Sequence, residues 1–167
     1  MPDMTANIEI ERKFLVAGDG WRSLADSGTV ISQGYLAEQG TLSIRIRRYG
    51  ERGILTIKKG QDARRRMEFE YDVPLAEAEQ MLQELCPSPP LSKTRYRVPH
   101  DGRTWEVDVF HGVNEGLVMA EIEFGEGEEI GALPDWAGRE VTDDRRYLNG
   151  SLYKSPWSTW GPAEGSR

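Results

Sequence analysis

The segment IEIERKFLV, residues 8–16, alternates apolar and charged side chains at almost every step. The same two-residue period recurs in LSIRIRRY (42–49), GILTIKK (53–59), RRMEFEYDV (65–73), KTRYRV (93–98), TWEVDVF (104–110) and VMAEIEF (118–124). A period of two is the spacing of side chains on one face of a β-strand. These segments therefore read as seven strands, and ISQGYLA (31–37) supplies an eighth. The separators RYGERG, KKGQDA, VPHDGR and FHGVNEG carry Gly, Asp or Asn, as short antiparallel connections do. The pattern predicts an α+β chain, mainly β, whose meander can close into a barrel.

Two helices interrupt the meander. In PLAEAEQMLQELC, Pro74 suits a first helical position, Leu75, Ala78, Met81, Leu82 and Leu85 recur at helical spacing, and Pro87 stops the run. In VTDDRRYLNGSLYK, Thr142 reads as an N-cap followed by two acids in the first turn, where the helix dipole favours them, and Gly150 weakens the middle. A third, short helix is expected within DGWRSLADSG.

The strand faces divide sharply. One collects Leu42, Ile44, Ile46, Leu55, Ile57, Met67, Phe69, Tyr71, Val73, Tyr96, Val98, Trp105, Val107, Val109, Ile122 and Phe124, an ordinary core face. The other collects Glu9, Glu11, Lys13, Arg45, Arg47, Lys58, Arg66, Glu68, Glu70, Asp72, Lys93, Arg95, Arg97, Glu106, Asp108, Glu121 and Glu123. Solvated strand faces mix neutral polar residues with both charge signs, whereas here neighbours are often alike, as in Lys93, Arg95 and Arg97. Like charges two residues apart lie ~7 Å from each other, which costs on the order of 2 kcal/mol per pair at an effective dielectric near 20 and well under that in open water. Enclosure of this face then requires bound counterions. Arg and Lys suit a chain of phosphates, and paired carboxylates suit Mg²⁺ or Mn²⁺, which bridge carboxylates to phosphate oxygens. A polyphosphate with a divalent metal is the implied ligand, with Glu9 and Glu11 on the metal and Lys13 on phosphate.

Composition narrows the alternatives. A chain of 167 residues suits one domain. No apolar run approaches the ~20 residues that span a bilayer, and the N-terminus shows no secretory pattern. A single cysteine, Cys86, excludes an internal disulfide and fits a cytoplasmic location; it reads as buried filler. The net charge of −7 argues against nucleic acid held on a broad basic surface. Two histidines, His100 and His111, are too few for a His-rich zinc site. No protein partner is evident.

The charged motifs, taken in order, resemble the CYTH group of triphosphate tunnel metalloenzymes: E-x-E-x-K at Glu9, Glu11 and Lys13; R-x-R at Arg45 and Arg47; T-x-K at Lys58; R-x-E-x-E at Arg66, Glu68 and Glu70; K-x-R-x-R at Lys93, Arg95 and Arg97; E-x-D at Glu106 and Asp108; and E-x-E at Glu121 and Glu123. The resemblance spans roughly residues 8–154. It implies an eight-stranded antiparallel closed barrel, a tunnel with a charged interior and outer helices, over residues 1–154; the Ser-, Gly- and Pro-rich residues 155–167 read as a loosely ordered tail whose Trp157 and Trp160 could dock on the rest of the chain. It also implies metal-dependent hydrolysis of a terminal phosphoanhydride, of inorganic tripolyphosphate or an organic triphosphate. Lys13, Arg45, Arg47, Lys58, Arg66, Arg95 and Arg97 would grip phosphate. Glu9, Glu11, Glu121 and Glu123 would hold metal, with Glu68, Glu70, Glu106 and Asp108 as further ligands. Lys93 and Tyr35 are expected to assist water activation, the alternatives being a phosphate clamp for Lys93 and a barrel-lining aromatic for Tyr35. The segment SQGYL resembles the short bacterial members rather than the cyclase branch. A non-catalytic polyphosphate-binding module and a class IV adenylate cyclase stand as rival readings. The C-terminal helix could plug one tunnel mouth.

Overall fold

The computed structural model of the chain describes residues 8–60 and 64–161. Every alternating segment forms a strand: β1 (Ile8–Val16), β2 (Thr29–Gln39), β3 (Leu42–Tyr49), β4 (Arg52–Gly60), β5 (Arg65–Val73), β6 (Leu91–His100), β7 (Arg103–Phe110) and β8 (Val118–Phe124). A further short strand, β9 (Ala137–Glu140), has no alternating signature in the sequence. The helices are α1 (Leu75–Glu84) and α2 (Asn149–Lys154), and the expected short helix is a 3-10 turn over Gly20–Leu24.

The strands run in the order β5-β4-β3-β2-β6-β7-β8-β1-β9, all pairs antiparallel, and β5 pairs back onto β1. Eight strands thus close into a ring. Three turns are two-residue loops, between the pairs Gln39 and Leu42, Tyr49 and Arg52, and His100 and Arg103. In the last of these, Asp101 (φ 49°) and Gly102 (φ 72°) both take the left-handed conformation. A twisted hairpin favours that geometry, and an Asp-Gly dipeptide adopts it at low cost. The KKGQDA connection falls partly on residues 61–63, outside the described residues.

Alternation sends the charged face into the ring and the apolar face outward, where other elements cover it unevenly. Helix α1 lays Ala78 and Leu82 on Ile46 of β3, with Leu55 and Val73 alongside and Cys86 half-buried beside them. A second cluster joins Phe14, Val98, Trp105, Val107 and Ile122 under two loop tryptophans, Trp21 and Trp136. Trp105 lies 5.6 Å from Phe14 and 5.5 Å from Trp136, centroid to centroid, and Trp136 meets it edge-on. Each such side chain, once buried, contributes on the order of 2 to 3 kcal/mol. The expectation of one continuous core face needs correction on β5, because α1 stops short of it: Tyr71 is 54% exposed, and Met67 and Phe69 are only half-buried. A third cluster fills one end of the ring with Leu91, Phe110, Met119, Leu152 and Tyr153.

The expected C-terminal helix over 141–154 is broken. Residues Arg145–Tyr147 form a 3-10 turn and α2 has only six residues. Thr142 is not its N-cap; its Oγ1 accepts the Lys13 N–H (3.0 Å) and donates to Glu140 Oε1 (2.7 Å). The chain at 141–142 is instead tied to β1, with the Val141 N–H donating to the Lys13 carbonyl. A Cβ at Gly150 would stand 2.7 Å from Glu38 Oε1, the tip of an exposed side chain that can swing aside. Beyond α2, the Trp157 N–H donates to Asn114 Oδ1 (2.7 Å), and the Trp160 ring meets Tyr147 at 5.1 Å.

Arg12, on the outer face of β1, grips Glu140 of β9 with two bonds of 2.9 and 2.8 Å. Those bonds, with the Thr142 hydroxyl and Arg64 outweighing partial burial, hold the Glu140 carboxyl down to about 2. A carboxyl depressed on folding contributes stability that is present above its unfolded value and lost as the pH falls toward the folded one. The wild-type chain is expected to lose about 1 kcal/mol from this contact between pH 5 and pH 2, a figure discounted for partial exposure. Urea titrations of wild type and Glu140→Gln check this, since the variant should lack that part of the acid-side decline.

Candidate active site inside the ring

Cross-strand register assembles the site. On one wall, β1 and β8 set Lys13 opposite Glu121 and Glu11 opposite Glu123, and β7 and β8 set Glu106 opposite Glu121. On the facing wall, Arg45 is opposite Thr56, Thr56 opposite Glu70 and Lys58 opposite Glu68. Between them lies a cavity of about 1300 Å³ lined by Glu9, Glu11, Lys13, Tyr35, Arg45, Arg47, Lys58, Arg66, Glu68, Glu70, Lys93, Arg95, Glu106, Glu121 and Glu123. These are fifteen of the seventeen residues expected there.

Two expected residues fall elsewhere. Arg97 shares the inward face of β6 but lies past the cavity and is exposed. Asp108 is buried and does not line the cavity. It sits directly opposite Arg95 and takes a two-pronged bond from it (2.8 and 2.9 Å) as well as one from Lys93 Nζ (2.8 Å). With three donors on its oxygens and no place on the cavity lining, Asp108 is the counterion of Lys93 and Arg95.

The carboxylates and cations are interleaved. Lys58 Nζ lies 2.9 Å from Glu9 and 3.2 Å from Glu68, Arg47 Nη2 lies 2.8 Å from Glu70, and Arg95 Nη1 lies 2.9 Å from Glu106. Burial alone would discharge Lys58, but Glu11 and Glu9 outweigh it and raise its pKa. Arg47 behaves oppositely: burial, with Arg45 and Arg95 nearby, brings it down to about 10 despite Glu70. That region is short of negative charge, which is the condition for binding an anion.

The acid wall is short of positive charge. Burial and the neighbouring Glu11 push Glu121 up to about 7, whereas in Glu11 burial is outweighed by Lys13, the Glu121 hydrogen bond and Lys58, bringing it to about 2. The pair therefore shares one proton between two carboxylates. Glu9, Glu11 and Glu123 each present an oxygen within 4.8 Å of the others. Neither Glu11 oxygen has an N–H donor in hydrogen-bond geometry, its contacts to Lys13 (3.5 Å) and Arg66 (3.4 Å) being long. A hard divalent cation fits such an oxygen-only donor set, in which Glu11 is buried, Glu9 half-buried and Glu123 exposed.

Lys93 is 1% exposed, and its ammonium is disfavoured by burial and by Arg95, so its pKa drops to about 7 against the pull of Asp108. Tyr35 lines the cavity and packs on Tyr153 at 5.4 Å; its hydroxyl accepts from Gln33 Nε2 (3.4 Å). Thr56, the threonine of the T-x-K motif, also lines the cavity, and several lining residues carry no motif signal: Tyr49, Arg52 and Ile54 come from the β3–β4 hairpin, and Arg145, Asn149 and Lys154 come from the C-terminal segment. The alternation of β4 marks Ile54 and Thr56 as inward-facing, but nothing local places residues 145–154 at the cavity.

An antiparallel ring enclosing interleaved rows of cations and carboxylates defines a tunnel protein with a charged interior. The chain belongs to the CYTH domain family, whose pattern matches residues 7–153. It is similar to the inorganic triphosphatase of Acetivibrio thermocellus, 45% identical over 152 residues, covering 91% of this chain and 97% of that one. It is also similar to the inorganic triphosphatase of Nitrosomonas europaea, 36% identical over 149 residues, covering 86% and 95%. Among solved structures, that of an inorganic triphosphatase superposes with a TM-score of 0.63 at 32% identity, over 88% of this chain and 95% of that one. Among the described residues no helix is long and apolar enough to cross a membrane.

Proposed function

We propose that this chain hydrolyses the terminal phosphoanhydride of a triphosphate with the help of a divalent metal, Mg²⁺ or Mn²⁺, and that inorganic tripolyphosphate is its preferred substrate. The observation that carries this reading is that one cavity brings the cations Arg45, Arg47 and Lys58 together with the carboxylates Glu9, Glu11, Glu121 and Glu123. The names of its relatives point the same way.

Glu9, Glu11 and Glu123 would hold the metal, with Glu121 yielding its proton as the site fills. When bound there, the metal would supply Lewis-acid charge to the phosphate oxygens. Arg45, Arg47, Lys58, Arg66 and Arg95 would hold the phosphate chain and stabilise the charge that builds on it, because phosphoryl transfer depends chiefly on positioning and electrostatics. In the reaction the oxygen of a water molecule bonds to the terminal phosphorus, the anhydride P–O bond breaks, and pyrophosphate leaves with the bond's electron pair. The water's proton goes to Lys93 Nζ, whose depressed pKa of about 7 suits a base near neutral pH.

Phosphate release from tripolyphosphate, ATP and thiamine triphosphate, each with Mg²⁺, Mn²⁺ or EDTA, tests the proposal. Metal-dependent release that is fastest with tripolyphosphate supports it. Tight polyphosphate binding with no release would make the tunnel a receptor, and cyclic AMP formed from ATP would make it a cyclase.

A further inference from the structure

Lys93 Nζ touches two acceptors, Asp108 Oδ2 at 2.8 Å and Asn149 Oδ1 at 2.8 Å. Asp108 lies across the strand pair on β7, but Asn149 is the first residue of α2, outside the ring and 56 positions away. Asn149 is in turn fixed from the ring, since its Oδ1 also accepts from Gln33 Nε2 (3.3 Å), and Gln33, fully buried, reaches the Tyr35 hydroxyl. A continuous chain therefore joins Asp108, Lys93, Asn149, Gln33 and Tyr35.

We propose that Asn149 is a positioning residue for Lys93: its side-chain oxygen and Asp108 take two N–H bonds of the Lys93 amine and leave the remaining position of the nitrogen for water in the cavity. A neutral amine has two hydrogens and one lone pair. Two acceptors held at 2.8 Å occupy both hydrogens, so the lone pair is what is left to face the cavity that Lys93 lines. With Asp108 alone, the flexible four-carbon stem keeps one anchored hydrogen, and the amine is free to rotate about that bond. The C-terminal segment thereby completes the site instead of merely covering its end.

This assignment rests on the triphosphatase reading and is tested by steady-state kinetics on the full chain with tripolyphosphate and saturating Mg²⁺. Asn149→Ala is expected to lower kcat about tenfold or more, leave KM within twofold and leave the thermal midpoint within a few degrees, as loss of orientation in the reacting complex does. Asn149→Asp, which keeps an oxygen in place but adds a charge that holds the Lys93 proton, is expected to recover most of the lost kcat on the plateau above its raised acid limb. In the same series the acid limb of the pH profile of kcat should move for both variants, because each changes what the Lys93 nitrogen is bonded to. An unchanged kcat in Asn149→Ala overturns the proposal, as does a loss confined to KM. A loss that follows the thermal midpoint and is not recovered by Asn149→Asp overturns it too, marking Asn149 as merely structural. A wild-type chain that releases no phosphate overturns the triphosphatase reading itself, and this assignment falls with it.

Discussion

Changing both Glu9 and Glu11 to Gln is expected to abolish metal-stimulated phosphate release from tripolyphosphate, a loss of about a thousandfold or more. The estimate follows from the several kcal/mol that a metal contributes to charge stabilisation in phosphoryl transfer, at about 1.4 kcal/mol per factor of ten. Gln keeps the size of Glu but offers a neutral oxygen, so the double variant tests charge and not space. These two residues and Glu123 make the one group of carboxylates among the described residues whose oxygens converge within 4.8 Å. Mn²⁺ binding followed by calorimetry should be lost in parallel. If binding and rate both survive, the metal would have to sit on Glu68, Glu70 or Glu106, and the placement argued above would be wrong. The variant should also free Lys58, which now lies 2.9 Å from Glu9, to engage Glu68 alone.

Asp108→Asn should unfold far more easily than wild type, by about 3 to 5 kcal/mol, the range found when one member of a buried charge network is removed. The reason is geometric. Asp108 is the acceptor for Arg95 through two bonds and for Lys93 through one, and all three side chains are buried. Removing its charge leaves the Lys93 amine without its counterion and the Arg95 guanidinium with Glu106 alone as an ion-pair partner. For a chain of this length such a loss lowers the thermal midpoint by roughly 10 °C. Tripolyphosphate should restore part of it, since a ligand that binds only the folded state stabilises it by mass action. A loss below about 1 kcal/mol would mean that Asp108 is not the counterion its three short contacts make it.

The eight strands of the ring were legible because alternating faces have one period and no helical interpretation, whereas β9, with no alternation, was not. The inward direction of the charged face was legible too, since rows of like charge on seven strands have no role in open water but suit an enclosed face that binds counterions. The register was not. Asp108 and Glu106 look equivalent in TWEVDVF, yet one is consumed by Lys93 and Arg95 while the other lines the cavity. Arg97 continues the spacing of Lys93 and Arg95, but its strand leaves the cavity before it arrives. The C-terminal run read as one helix because Thr142 and the two acids after it look like a helix start; its first residues are instead diverted to bond β1, a contact between positions 129 apart.

The sequence by itself determined the eight strands, their two unlike faces and the kind of guest the charged face suits, because these depend on side chains two positions apart on one strand. Only the tertiary structure decided which carboxylates remain free, which become counterions, and that Asn149 reaches Lys93. Those outcomes depend on which residues face each other across the ring, and distances between strands are set by closure and not by any local pattern.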